Sequence, residues 1–220
     1  MMEKDARRPK AQVKLLKEQA YEIIKEGIIT SYYKPGDELR EASLSEEIGM
    51  SKTPIREALI QLQNEGFVVI RPFKGAVVTD ISIEDVVKLY EFRQLIDTYA
   101  VKVAIDNFTA SDQKYLSKQI SLMEEAQKSG NVAEYDKAHS NFHNVITSKV
   151  ENIWINRALA NMEDYIKRVR NSIIKNEPAN FINDYVLLQE AIKQKDKDKA
   201  VALIEKHLQK VVETYKRSKS

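Results

Sequence analysis

The sequence of 220 residues contains three histidines, His139, His143 and His207, and no cysteine. Without thiols there are no disulfides, thiolate metal sites or cysteine nucleophiles, and any metal site is left to imidazole, carboxylate, phenol and water. His139 and His143 are four residues apart within a helical-period stripe of Val132, Tyr135, Ala138, Phe142, Val145 and Ile146, so both rings fall on one apolar face. His207 lies in a second such stripe with Leu203, Ile204, Leu208 and Val211. A single inward histidine is ordinarily a hydrogen-bonded core residue. All three inward, two of them at i,i+4, have the spacing of a chelating set for a divalent metal such as Zn or Ni. Arg93 and Tyr185 occupy similar stripe positions. An inward guanidinium needs an anion, either a nearby carboxylate such as Asp97 or the carboxylate of a ligand. Tyr185 is either core with its hydroxyl bonded or a group facing a metal or effector.

A second set of residues has a different chemistry. Ser51, Lys52, Thr53 and Arg56 open a short helix, and Arg40, Gln61, Arg71 and Lys74 lie near it in sequence. Hydroxyls and cations that position phosphate, together with side chains long enough to reach base edges, are what a DNA-recognition helix needs in its first turns. Arg56 is the best candidate for a bidentate contact to guanine, and Lys52 and Lys74 suit phosphate or groove contacts. A solvated surface helix accommodates the same charges. Net charge does not decide: it is +2 overall, with 13 Lys and Arg against 13 Asp and Glu in residues 1–80, and 22 against 20 in the remainder. Any basic surface is therefore local.

The elements that must position these residues divide the chain in two. Five of six Gly and four of five Pro precede residue 80, so short elements and turns dominate there and long helices follow. Residues 14–29 read as a helix on the period of Leu15, Leu16, Gln19, Ala20, Ile23, Ile24 and Ile28. Residues 43–48 form a short helix with Ser43 as N-cap and Glu46 at the capping-box position, closed by Gly49. Ser51 caps the next helix, whose buried face is Ile55, Ala58, Leu59 and Leu62. Two β-rich tetrads, residues 67–70 and 76–79, flank a five-residue basic tip, which predicts a hairpin. Three helices and a two-stranded ribbon make a winged helix-turn-helix.

From Ser82 onward, six helical stripes follow. Their N-cap candidates are Ser82, Thr109 or Ser111, Asn131, and Asp196 or Asp198; a fourth helix runs from about Asn152 through Trp154, Leu159 and Ile166, and Pro178 separates it from a fifth. Six helices of this length predict an all-α bundle. Hydrophobic residues at 43% and charged residues at 31% suit a chain that buries a core. No apolar run approaches the roughly 18 residues of a membrane span, and the N-terminus lacks a signal-peptide pattern. A cytoplasmic protein with no membrane partner is expected.

The segment Lys34-Pro35-Gly36-Asp37-Glu38-Leu39-Arg40-Glu41, continued by residues 44–59 (LSEEIGMSKTPIREAL) and by Leu62 and Glu65-Gly66-Phe67-Val68, closely resembles the DNA-binding domain of GntR-type bacterial regulators. The resemblance spans nearly all of residues 12–80. It implies that Lys52, Thr53 and Arg56 contact operator DNA and that Gly75, at the wing tip, approaches the minor groove. Lys52 stands where Arg is commoner, which replaces a bidentate fork with a point charge. Residues 82–215 more loosely resemble the FCD type of effector-binding domain, found in the FadR subgroup, through residues 91–97 (EFRQLID), His139-Ser140-Asn141-Phe142-His143, Asn152, and residues from Gln189 to Leu208. Metal-binding members use an Asp and three His. Here His139 holds the Asp position, Tyr185 holds that of one His, and His143 and His207 match the other two. The resemblance thus implies a less anionic site of His139, His143 and His207 with Tyr185 peripheral, and it places Arg93 in the effector pocket, with Asp97 where Glu is usual.

The sequence therefore predicts a mainly α protein: a winged helix-turn-helix in residues 1–80 joined to an all-helical effector-binding and dimerisation domain in residues 81–220. The expected partners are double-stranded operator DNA, a small carboxylate metabolite and a second copy of the chain. The expected DNA-contacting residues are Arg40, Ser51, Lys52, Thr53, Arg56, Lys74 and Gly75; the expected metal ligands are His139, His143 and His207; the expected effector residues are Arg93 and Tyr185. Repression relieved by ligand is the simplest mechanism. The competing readings are a metal-dependent hydrolase built on the three-His site, although no Glu stands beside the paired His as in a helical metalloprotease motif, and a helical domain that only dimerises.

Overall fold

The computed structural model describes residues 11–71, 74–176 and 181–219. The chain divides into two compact units, Met1–Asp80 and Ile81–Ser220.

In the first unit, α1 (Ala11–Ile29), α2 (Glu41–Ile48) and α3 (Lys52–Asn64) accompany strands β1 (Glu38–Leu39), β2 (Val68–Arg71) and β3 (Gly75–Val78). Ala20, Ile24 and Ile28 of α1 are buried, as are Leu44 of α2 and Ile55, Ala58, Leu59 and Leu62 of α3. Leu16 and Ile23, which share the predicted stripe, are exposed, and Tyr21 is buried instead. The short helix starts earlier than its sequence suggests. The Leu44 amide already donates to the Arg40 carbonyl at 3.0 Å, so Arg40 is the N-cap and Ser43 lies inside the helix. Gly49 closes α2 in the left-handed region at φ 73°, a conformation cheap for glycine alone. Ser51 occupies the N-cap of α3 without donating or accepting a side-chain capping bond.

The predicted hairpin is β2 and β3, in antiparallel register with Val68 opposite Val78 and Arg71 opposite Gly75. Its tip residues Pro72 and Phe73 lie outside the described residues. The sequence pattern missed β1, whose two residues pair with β3 at Val77 and Ala76 to give the strand order β1-β3-β2. This explains Gly75: its φ is +78°, and a Cβ there would sit 3.1 Å from the Leu39 carbonyl oxygen.

The second unit contains α4 (Ile83–Ala104), α5 (Ala110–Ser129), α6 (Val132–Ser148), α7 (Ile153–Asn176), α8 (Ile182–Lys193) and α9 (Lys197–Ser218), with a 3-10 turn at Ile105–Asn107. Ser82, Thr109, Asn131 and Asp196 each accept the backbone N–H three residues on, and Thr109 with Asp112 completes a capping box. The helices enclose one core that includes Tyr90, Val101, Leu116, Met123, Phe142, Ile173, Tyr185, Leu208 and Tyr215. Tyr115 and Trp154 fit their stripes by spacing but are exposed; the Trp154 ring is instead covered by the Arg157 guanidinium, 5.3 Å from its centroid. Pro178 lies outside the described residues. No helix among the described residues is long and apolar enough to cross a membrane.

Candidate functional site

In the first unit, α3 holds Ser51, Lys52, Thr53 and Arg56 on one exposed edge. The buried face of α3 forces this orientation, because Pro54, Ile55, Ala58 and Leu59 turn inward and leave the residues between them to solvent. Arg56 makes a two-point fork with Glu41, Nε to Oε1 at 2.8 Å and Nη2 to Oε2 at 2.7 Å. That bond holds the Glu41 carboxyl below its ordinary range. Arg40 donates to Glu38 at 2.8 Å, and Lys74 lies 3.7 Å from the same carboxylate. Arg40 at the start of α2 and Lys74 at the wing are thus tied to one acidic residue. Sequence spacing does not reveal these carboxylate partners, because Glu41 and Arg56 are 15 residues apart.

In the second unit, the predicted residues come together. The His139 and His143 rings are 4.5 Å apart between centroids. The Tyr185 ring lies 5.6 Å from His139, 6.1 Å from His143 and 5.0 Å from His207. Arg93 is buried and bonds Asp97 through Nε at 2.9 Å. Its burial disfavours the charge, but Asp97, then Tyr90 and Tyr185, more than offset this and hold it cationic. Burial pushes the Asp97 carboxyl upward despite the pull of Arg93.

The hydrogen bonds fix the state of each imidazole. Arginine only donates, so His139 Nδ1 must accept from Arg170 Nη1 at 2.7 Å, and His143 Nε2 must accept from Arg93 Nη2 at 3.4 Å. His207 Nδ1 donates to Asp184 at 3.1 Å, which leaves Nε2 to accept from the Tyr185 hydroxyl at 3.3 Å. Burial, with the neighbouring arginine charges, drives His139 and His143 well below the usual histidine value. Burial also lowers His207 in spite of Asp184, and it keeps the Tyr185 phenol protonated. All three imidazoles are neutral acceptors.

The metal expectation meets this geometry poorly. Each imidazole lone pair already accepts a hydrogen bond from Arg93, Arg170 or Tyr185, and two of those donors are cations. Among the described residues, no group of three or more His, Asp or Glu side chains is arranged to hold a metal ion. The donor set therefore does not fit a divalent metal as arranged.

A cleft of about 530 Å3 opens between α4, α6 and α7, lined by Arg93, His139, His143, Asn144, Asn156 and Glu163 among others. This lies within the range of small-molecule sites. Behind it, Arg93, His139 and Ile166 also border an inner cavity of about 20 Å3, closed by Tyr90, Tyr135, Arg170, Phe181, Tyr185 and His207. Sequence reasoning missed Arg170. The signal was present, since Arg170 stands four residues after Ile166 and three before Ile173 on an apolar stripe, as Arg93 does on its own.

A winged helix-turn-helix in one unit and, in the other, a helical bundle with a polar pocket are the two parts of a class, the DNA-binding transcriptional regulators. Residues 16–78 match the model described as bacterial regulatory proteins, gntR family, and residues 88–210 match the FCD domain. The chain belongs to the GntR family of bacterial regulatory proteins and carries an FCD domain. It is 26% identical over 185 residues to the uncharacterized HTH-type transcriptional regulator YdhC of Bacillus subtilis (strain 168), covering 83% of each chain. It is 25% identical over 199 residues to the HTH-type transcriptional repressor RspR of Escherichia coli (strain K12), covering 90% of this chain and 87% of that one. A third relative, 27% identical over 189 residues, is the gluconate operon transcriptional repressor of Bacillus subtilis (strain 168), with 81% and 75% covered. The fold matches the solved structure of E. coli McbR/YncC at a TM-score of 0.77 and 22% identity, covering 93% of this chain and 99% of that one.

Proposed function

We propose that this regulator is a repressor that binds a two-fold operator as a homodimer, and that a small organic acid in the α4–α6–α7 cleft changes its operator affinity. The observation that carries the effector reading is a buried arginine, Arg93, at the base of a cleft large enough for a metabolite. Arg56, Lys52 and Thr53 contact the major groove or its phosphates. Ser51, whose hydroxyl makes no capping bond, is free for a phosphate; Arg40, Lys74 and Gly75 serve at the start of α2 and at the wing.

Helix-turn-helix dimers read half-sites one helical turn apart, so a second copy is the natural partner. Phe92, Leu95, Tyr99 and Val103 form an exposed apolar stripe along α4, which suits that contact. The mechanism is a population shift in which the acid favours one state of the dimer, and operator affinity changes by the coupling free energy. The relatives named as repressors support the direction of control. The hydrolase alternative has no observation in its favour.

Fluorescence anisotropy with labelled DNA from the gene's own upstream region tests this reading. Specific binding that weakens when millimolar organic acids are added is expected. Binding indifferent to every acid, in a protein that still dimerises, would leave the helical unit as a dimerisation module only.

A further inference from the structure

We propose that the ligand of this pocket is a small monocarboxylate whose remaining groups are hydroxyls, held by the guanidiniums of Arg93 and Arg170 without a metal ion. This deepens the effector reading above and rests on it.

Arg170 carries the argument. It is buried, its Nε is bonded to Asp136 at 2.5 Å and its Nη1 to His139, and its Nη2 is buried with no hydrogen-bond partner among the described residues. A buried guanidinium N–H without an acceptor costs stability, and the group borders the inner cavity. The cavity's roughly 20 Å3 accepts about one water-sized group, enough for an oxygen of an entering carboxylate. Arg93 borders the same cavity. Its Nε and Nη2 are used by Asp97 and His143, and it lines both the cavity and the outer cleft. Two guanidiniums that border one cavity, each with an Nη left for a ligand, can give an oxyanion charge-assisted hydrogen bonds.

A metal is disfavoured at the same atoms. Zn binds an imidazole nitrogen at about 2.0–2.1 Å, whereas Arg170 Nη1 already stands 2.7 Å from His139 Nδ1. Ion and guanidinium cannot share that lone pair, and their like charges repel. The outer wall refines the ligand class. Ser140, Asn144, Thr147 and Asn156 line it with hydroxyls and amides, and Glu163 accepts the Ser140 hydroxyl at 2.5 Å. These groups suit hydroxyls on the ligand's body, and the Glu163 carboxylate repels a second carboxylate.

The test uses full-length protein stripped with a chelator, with gluconate, acetate and citrate as probes and melting temperature as the readout. Gluconate is expected to stabilise the metal-free wild type, acetate less and citrate least. Arg170→Lys should weaken gluconate about tenfold. Arg170→Gln with Asp136→Asn, which leaves no unpaired buried charge, should abolish the response and, by freeing the His139 lone pair, bind added Zn2+ about tenfold more tightly than wild type, measured by calorimetry. A gluconate response that disappears on chelation and returns with Zn2+ overturns the metal-free proposal and leaves the effector reading standing. So does a full response in the double variant. No response to any acid, with or without Zn2+, overturns both. The wild-type chelation comparison decides the matter even if the variants do not fold.

Discussion

The two units use the same pair of groups, an arginine bonded to a carboxylate, in opposite surroundings: a two-point fork in Arg56 and Glu41, a single Nε bond in Arg93 and Asp97. Arg56 bonds Glu41 with its side chain 63% exposed, while Arg93 bonds Asp97 with its side chain 5% exposed. In water the attraction is screened and largely offset by hydration of the separated ions, so an exposed pair contributes about 0–1 kcal/mol and exchanges partners readily. In the core, separating the ions leaves a charge with nothing to solvate it, and loss of one partner costs about 3–5 kcal/mol. The exposed fork therefore suits a surface that trades Glu41 for a phosphate or base, and the buried pair suits a fixed receptor for a ligand that comes to it.

The largest test of that contrast is Asp97→Ala. It strands the Arg93 guanidinium, and the helical unit should lose about 3–5 kcal/mol, read from the denaturant midpoint of its far-UV signal. A loss below about 1 kcal/mol would mean that the cleft hydrates Arg93, and the buried half of the comparison would fail. Arg56→Ala comes next. It should leave the melting temperature almost unchanged but cost about 1–3 kcal/mol in operator binding and relax specificity, measured by competition between specific and scrambled DNA. Unchanged specific binding would remove Arg56 from the recognition surface.

Acid sensitivity separates the units again. His139 has a folded-state value well below its ordinary 6.5, so below about pH 6.5 the unfolded chain binds a proton that the folded chain does not. Stability is complete above that pH and falls as pH drops through it, at up to about 1.4 kcal/mol per pH unit for each such imidazole. Thermal melts from pH 7.5 to 5.5 should show the helical unit losing stability. His139→Gln should flatten the slope, and an unchanged slope would assign the acid sensitivity elsewhere. The first unit, which has no histidine, should be the less sensitive of the two.

These contrasts mark where sequence spacing is informative. Periodicity places His139, His143, His207, Arg93 and Tyr185 on inward faces, and turn chemistry places Gly49 and the caps at Ser82 and Asn131 and narrows two others to Thr109 or Ser111 and Asp196 or Asp198, because both depend on residues close in sequence. What faces those side chains is set by other helices. Arg170 opposes His139 from 31 residues away, and that donor, rather than the spacing of the imidazoles, decides whether their lone pairs are free for a metal. Periodicity also cannot tell a buried stripe from one that a partner would cover, so Leu16, Ile23, Tyr115 and Trp154 read as core although they are exposed. A two-residue strand such as β1 leaves no pattern at all; it exists because β3 presents a free edge to pair with.

The smallest expected effect on stability, and the finest test of the comparison, is Glu41→Gln. The fork it removes is exposed, so folding stability should change by less than about 1 kcal/mol. DNA binding should respond in two opposed ways. Losing a negative charge beside Lys52 and Arg56 raises attraction to phosphates of any sequence, while freeing the Arg56 guanidinium from its carboxylate removes the constraint that aims it at base edges. Non-specific affinity at low salt should therefore rise and the ratio of specific to non-specific affinity should fall, both read from anisotropy titrations across a salt series. If the ratio stays constant while overall affinity rises, Glu41 acts only through its charge and has no part in positioning Arg56. In that case the exposed fork is a resting contact, unlike the buried bond of Arg93 to Asp97, whose geometry the pocket requires.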